Sequence, residues 1–193
     1  MPRLYRVGKK MTELYKNKYR IPSARAEWCN YDGGRFFVTI CCKGHRHYLG
    51  EIEGDEMKMT ALGSYLTEMI LSLPNHYPFA SVPLFVVMPN HLHLMIDING
   101  NAVETRHAAS QFAEDEETRH VASLQGKRLN MPLSCVVGGL KSSLTRYAHK
   151  KGLEFAWQPR FYEHIVRNVK DNNEIASYIK DNVIKWNLDD YYS

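Results

Sequence analysis

Hydrophobic positions along the 193-residue chain change period several times, and each change marks an element. RFFVTICC (35–42) is a run of β-branched and aromatic residues and predicts a strand. In GDEMKMTALGSYLTEMILSLP (54–74), Leu62, Tyr65, Leu66, Met69, Ile70 and Leu73 recur at helical spacing and the run stops at Pro74, which predicts a helix. VPLFVVM (82–88) predicts a second strand, Met88-Pro89-Asn90 a tight turn, and the strictly alternating HLHLMIDI (91–98) a third strand, so 82–98 is expected as a hairpin. LSCVVGGLKSSLTRYAHKKG (133–152) predicts a second helix, with Gly152 as its stop signal. A fourth strand is expected around 161–167, and DNNEIASYIKDNVIKW (171–186), opening on the capping types Asp and Asn, predicts a final helix. The order is β-α-β-β-α-β-α. Its first six elements follow the ferredoxin-like or RRM-like pattern, an α+β fold in which an antiparallel sheet carries its helices on one face.

Strand parity then separates the residues of 91–98. Leu92, Leu94, Ile96 and Ile98 share one face and must pack on the two helices. His91, His93, Met95 and Asp97 share the other, so the histidines are expected on the face those helices leave open. Two residues apart on one strand, they project ~7 Å from each other at the Cα level, and two imidazoles at that spacing can converge on one metal ion. The same pair also suits plain half-exposed strand histidines.

The final helix supplies matching groups. Ile175, Tyr178, Ile179, Asn182 and Trp186 follow the spacing of one helix face, and Asn182 breaks the apolar stripe with an amide. A buried amide left unpaired costs ~1–3 kcal/mol, so it needs partners. Tyr178 lies one turn before it. A helix laid across the open sheet face brings a phenol and an amide oxygen to two imidazoles, a set that suits Mg²⁺ or Mn²⁺. Tyr147 and Tyr162 compete with Tyr178 for the role of nucleophile. Tyr147 sits in the helix expected on the other face, and Tyr162 faces either way on its strand.

Composition narrows the class. Apolar residues make up 44% of the chain, as in ordinary globular proteins, and no apolar run reaches the ~18–20 residues of a membrane span. The basic N-terminus has no apolar segment behind it, so a secretory signal is not expected and a cytoplasmic protein is. Cys29, Cys41, Cys42 and Cys135 form no CxxC pair and are expected as reduced thiols. The net charge of +4 is mild, but residues 1–25 hold eight Lys or Arg against one acid, Glu13. Such an arm suits a phosphate backbone as well as it suits a solvated tail. Residues 100–131 are polar, with acids at 114–117 and the near-repeats ETRHAASQ and ETRHVASLQ, and are expected as a flexible insertion.

VVMPNHLHLMIDI, WQPRFYEHIVRN and ASYIKDN together resemble the REP-associated tyrosine transposases, part of the wider group of single-tyrosine HUH transposases of insertion sequences. The resemblance spans residues 25–99 and 133–186. It implies one such domain over 1–193, with the arm 1–25 and the insertion 100–131 as additions. It implies His91 and His93 as metal ligands flanking the hydrophobic Leu92, Tyr178 as the catalytic residue and Asn182 as the amide that completes a Mg²⁺ or Mn²⁺ site. The family pattern has Asn-Pro where this chain has Asn182-Val183, so the helix is expected to continue through Lys185. The implied substrate is single-stranded DNA beside a hairpin, near the nucleoid, cut and rejoined through a 5′-phosphotyrosine. Lys141, Arg146, Lys150, Lys151, Arg160 and Arg167 are the expected backbone contacts. Monomer and homodimer both stay open. Two other readings remain: a DNA-binding protein that has lost cleavage, and a phosphodiesterase that uses water.

Overall fold

A computed structural model describes residues 33–99 and 132–192, with the backbone of two short strands before them. By internal contacts the chain falls into two units, Met1–Asn30 and Tyr31–Ser193. In the first, β1 (Leu14–Tyr15) pairs antiparallel with β2 (Lys18–Tyr19). The rest of the basic arm and the whole 100–131 insertion lie outside the described residues.

The second unit runs β3 (Gly34–Cys41), β4 (Gly50–Glu53), β5 (Glu56–Met59), α1 (Ala61–Leu71), α2 (Leu73–His76), β6 (Ala80–Val87), β7 (His91–Ile98), α3 (Pro132–Lys150), β8 (Tyr162–Ile165) and α4 (Val169–Asp181). Four strands form one sheet in the order β6-β7-β3-β8, every neighbouring pair antiparallel. Helices α1 and α3 lie against each other, α1 also against β6 and α3 against β7.

Register follows from burial. Phe36, Val38 and Ile40 of β3 stand opposite Ile96, Leu94 and Leu92 of β7, and all six are fully buried. Burying each such side chain stabilises the fold by ~1.5–3 kcal/mol, and a slip of one residue would turn the whole set to the other face. The alternate parity is thereby fixed too. It places Arg35 opposite Asp97, Phe37 opposite Met95, Thr39 opposite His93 and Cys41 opposite His91. Strand β8 adds Tyr162 beside Thr39 and His164 beside Phe37.

Two expected elements are corrected. Residues 54–60 are not the start of a helix but the turn and second strand of a hairpin, β4–β5. Gly54 turns it at a φ of 64°, a left-handed conformation that suits glycine, and the helix begins only where the Thr60 hydroxyl caps Gly63 N. The last helix starts earlier than expected, with Asn168 as its cap, and ends at Asp181. Past Asn182 the bonds tighten: Lys185 N still reaches Asp181 O, but Trp186 N bonds Val183 O, three residues back. A short 3-10 turn, Trp186–Leu188, follows with Trp186 buried.

Candidate metal and nucleophile site

His91 and His93 leave the Pro89-Asn90 turn on the sheet face that parity predicts, but they are 0% and 1% exposed rather than half-open. Their Nε2 atoms face each other at 2.9 Å. Neighbouring groups orient both rings. The Asn90 amide donates through Nδ2 to Tyr191 O at 2.8 Å, which turns its Oδ1 towards His91 Nδ1, also at 2.8 Å. An amide oxygen only accepts, so His91 carries its proton on Nδ1 and presents a bare Nε2. His93 Nδ1 is held by the Thr39 hydroxyl at 2.8 Å. Such outer partners are what a metal-binding histidine uses to aim its lone pair. Burial lowers the pKa of His91 to about 4 and of His93 well below its usual value; the charge of Asp189 works the other way on His91. Both rings are neutral at physiological pH.

Tyr178 and Asn182 arrive from α4, one turn apart as expected. Tyr178 Oη lies 3.1 Å from His93 Nε2 although the residue is 41% exposed, so it belongs to the edge of the site and not to an apolar stripe. Asn182 is buried, and its Oδ1 has no hydrogen-bond partner. A buried acceptor in that state calls for a cation or a water.

Asp189 completes the cluster and is the residue the sequence reading missed. Its side chain is 1% exposed. Oδ2 accepts from Tyr178 Oη at 3.0 Å and from Asn182 Nδ2 at 2.9 Å, while Oδ1 accepts from Tyr191 N at 2.7 Å and lies 4.0 Å from His91 Nε2. Ligand atoms of His91, His93 and Asp189 all fall within 4.8 Å of one another, the one such group among the described residues. Two imidazole lone pairs, a carboxylate and an orphaned amide oxygen form a donor set that fits a divalent ion of the Mg²⁺ or Mn²⁺ kind. No periodicity pointed to Asp189: it follows the 3-10 turn, and its only signal was an acid pair between Trp186 and Tyr191. Burial, then the charge and hydrogen bond of Asp189, raise the Tyr178 pKa above the ordinary tyrosine range.

The rival tyrosines are separated. Tyr147 stacks on Tyr65 of α1 with ring centroids 3.9 Å apart, away from the histidines. Tyr162 lies on the histidine side, exposed on the edge strand, edge-on to Phe37. The expected backbone contacts divide as well. Arg146, Lys150, Lys151, Arg160 and Arg167 are exposed. Lys141 is instead half-buried and engaged: its Nζ donates to Gln158 O at 2.8 Å and Arg160 O at 2.9 Å, and burial lowers its pKa. It braces the loop before β8, where Arg160 takes a φ of 71°. Among the described residues no helix is long and apolar enough to cross a membrane.

No protein-family model matches the chain. It is 45% identical over 153 residues to a REP-associated tyrosine transposase of Escherichia coli K12, covering 79% of this chain and 68% of that one. It is 31% identical over 172 residues to an uncharacterized protein of Haemophilus influenzae, covering 88% and 92%. Among solved structures it is similar to the REP-associated tyrosine transposase bound to a REP hairpin, with a TM-score of 0.50, 22% identity, and 86% and 74% coverage. Fold and site thus define an α+β protein of the transposase fold. The chain belongs to the REP-associated tyrosine transposase family, and its function is transposase-like.

Proposed function

We propose that this protein is a metal-dependent endonuclease and strand transferase for single-stranded DNA next to a hairpin, with Tyr178 as nucleophile. The observation that carries the reading is the contact of Tyr178 Oη with both His93 Nε2 and Asp189 Oδ2. The strand order, entered through α1 and α3, supports a ferredoxin-like sheet whose apolar face those helices cover while α4 crosses the histidine face.

His91, His93 and Asp189 would hold the ion, with Asn182 Oδ1 as a fourth donor. When bound, a divalent ion supplies Lewis-acid polarisation of the scissile phosphate. Tyr178 does the covalent work. Its phenolic proton is already shared with Asp189 Oδ2, the nearest carboxylate oxygen. The phenol oxygen forms the bond to phosphorus, the bond to the 3′ oxygen breaks, and that oxygen leaves as a hydroxyl, taking up a proton. The 5′-phosphotyrosine keeps the ester, so a free 3′-OH reverses the step and joins strands without ATP. The relative of known structure holds a REP hairpin. The exposed Arg146, Lys150, Lys151, Arg160 and Arg167 are the groups we assign to the phosphate backbone here.

The test is a denaturing-gel assay with Mn²⁺ and a hairpin oligonucleotide carrying single-stranded flanks. The parent protein is expected to form a covalent adduct mapped by mass spectrometry to Tyr178, and Tyr178→Phe to form none while still binding the DNA. An adduct mapped to Tyr162 or Tyr191 would overturn the assignment.

A further inference from the structure

Helix α4 is thinly attached for the task that reading gives it. Ile179 is its one fully buried residue, and Val169 at its start is 76% exposed. Polar groups join its first turn to the sheet, and they do so twice. Arg35 on β3 grips Asp97 on β7 through Nε and Nη2, each at 2.6 Å, and donates through Nη1 to Asn172 Oδ1 at 2.7 Å. One residue earlier, Asp171 accepts from His164 Nε2 on β8 at 3.0 Å and from Arg167 N at 3.2 Å. Two neighbouring strands, β3 and β8, thus hold consecutive residues of one helix, and β7 fixes the first grip by holding Arg35 through Asp97.

Stability is a weak reason for this array. The Arg35 and Asp97 side chains are 38% and 36% exposed, and ion pairs that open to water contribute only ~0–1 kcal/mol. Geometry is a stronger one. A guanidinium bound through two nitrogens to a carboxylate has its third nitrogen aimed in a fixed direction. Consecutive helix residues point ~100° apart around the axis, so gripping both fixes rotation as well as tilt. Tyr178 lies six residues on, ~9 Å along that axis.

We propose that Arg35–Asp97–Asn172 and His164–Asp171 form a two-point clamp that sets the rotation and tilt of α4 and so places Tyr178 Oη over the histidine pair. These are positioning residues, and the proposal rests on Tyr178 being the nucleophile. Three readouts test it in the full-length protein: the single-turnover rate of adduct formation at saturating hairpin oligonucleotide with Mn²⁺, the oligonucleotide Kd, and amide hydrogen exchange across 175–182. Misplacing a reacting group by ~1 Å costs ~100-fold, so Asn172→Ala and His164→Ala are each expected to slow the adduct ~10–100-fold. Kd should stay within about twofold, because the contact removed acts on the chemical step. Exchange should rise across 175–182 but not in α3. Asn172→Asp, which keeps an acceptor for Arg35, should restore rate and protection. Unchanged adduct rates in both alanine variants overturn the clamp, as does unchanged exchange or a loosening that extends to α3. A parent protein that forms no adduct at Tyr178 overturns the nucleophile reading instead, and the exchange comparison then decides the clamp alone.

Discussion

At the scale of single residues, Asp189 ties the histidine pair to Tyr178 and Asn182. Its carboxylate faces His91 on one side and accepts from Tyr178 and Asn182 on the other. Asp189→Asn keeps the shape and removes the charge, which separates the two effects. Loss of even an outer partner of a metal site weakens binding ~10–100-fold, so Mn²⁺ affinity, read by calorimetric titration, should fall at least that far. In the metal-free protein the same change should lower the Tyr178 pKa, because the carboxylate's charge opposes the phenolate after burial does. Ultraviolet difference titration against Tyr178→Phe isolates that phenol. An unchanged Mn²⁺ affinity would remove Asp189 from the ligand set. Asn90→Ala probes the aim of the ring: without the acceptor on its Nδ1, His91 loses its fixed tautomer, and Mn²⁺ should bind ~10–100-fold more weakly. Parent-like binding would show that Asn90 does not set it.

At the scale of elements, close approach decides which glycines matter. A Cβ on Gly63 would sit 2.1 Å from the Leu49 carbonyl oxygen, a backbone atom that cannot swing aside, where α1 passes the segment that leads into β4. Gly63→Ala should therefore destabilise by ~1–3 kcal/mol. Gly138 in α3 has nothing within 4 Å, and Gly138→Ala should stabilise by ~0.5–1 kcal/mol, since alanine loses less freedom in a helix. Urea midpoints of the two variants, moving in opposite directions, check both. These contacts also show what sequence pattern reaches. The strand β3 was legible from its run of β-branched and aromatic residues, α3 from a long segment closed by Gly152, and β7 from strict alternation, which put His91 and His93 on the correct face. The hairpin of 50–59 was not, because strands this short show no sustained period beside the strong helical one that follows. The end of α4 was not either, since the turn after Asn182 is set by Trp186 packing inward. Asp189 lies beyond that turn, so its place in the site depends on tertiary packing that no spacing rule encodes.

At the scale of the whole molecule, burying two uncharged imidazoles links stability to pH and to metal. Folded His91 titrates at about 4 against 6.5 for the ordinary side chain, and His93 shifts the same way, burial being the main cause in both. Between those values the unfolded chain binds more protons than the folded one, so stability rises with pH across the window. It is complete above about 6.5 and is lost as the pH falls towards 4. In chelator-treated protein the urea midpoint should drop between pH 7.5 and pH 5, and the drop should shrink in His91→Asn. On the proposed reading metal acts on the same equilibrium, because the donor groups brought together from β7 and the segment after α4 meet only in the folded chain. Mn²⁺ at one hundred times its Kd should add about 2.7 kcal/mol at pH 7.5. At pH 5 protons compete for the same lone pairs in the unfolded chain but not in the folded one, so metal should offset much of the acid loss. A midpoint that ignores both pH and Mn²⁺ would mean that His91 and His93 are neither buried as neutral rings nor metal ligands.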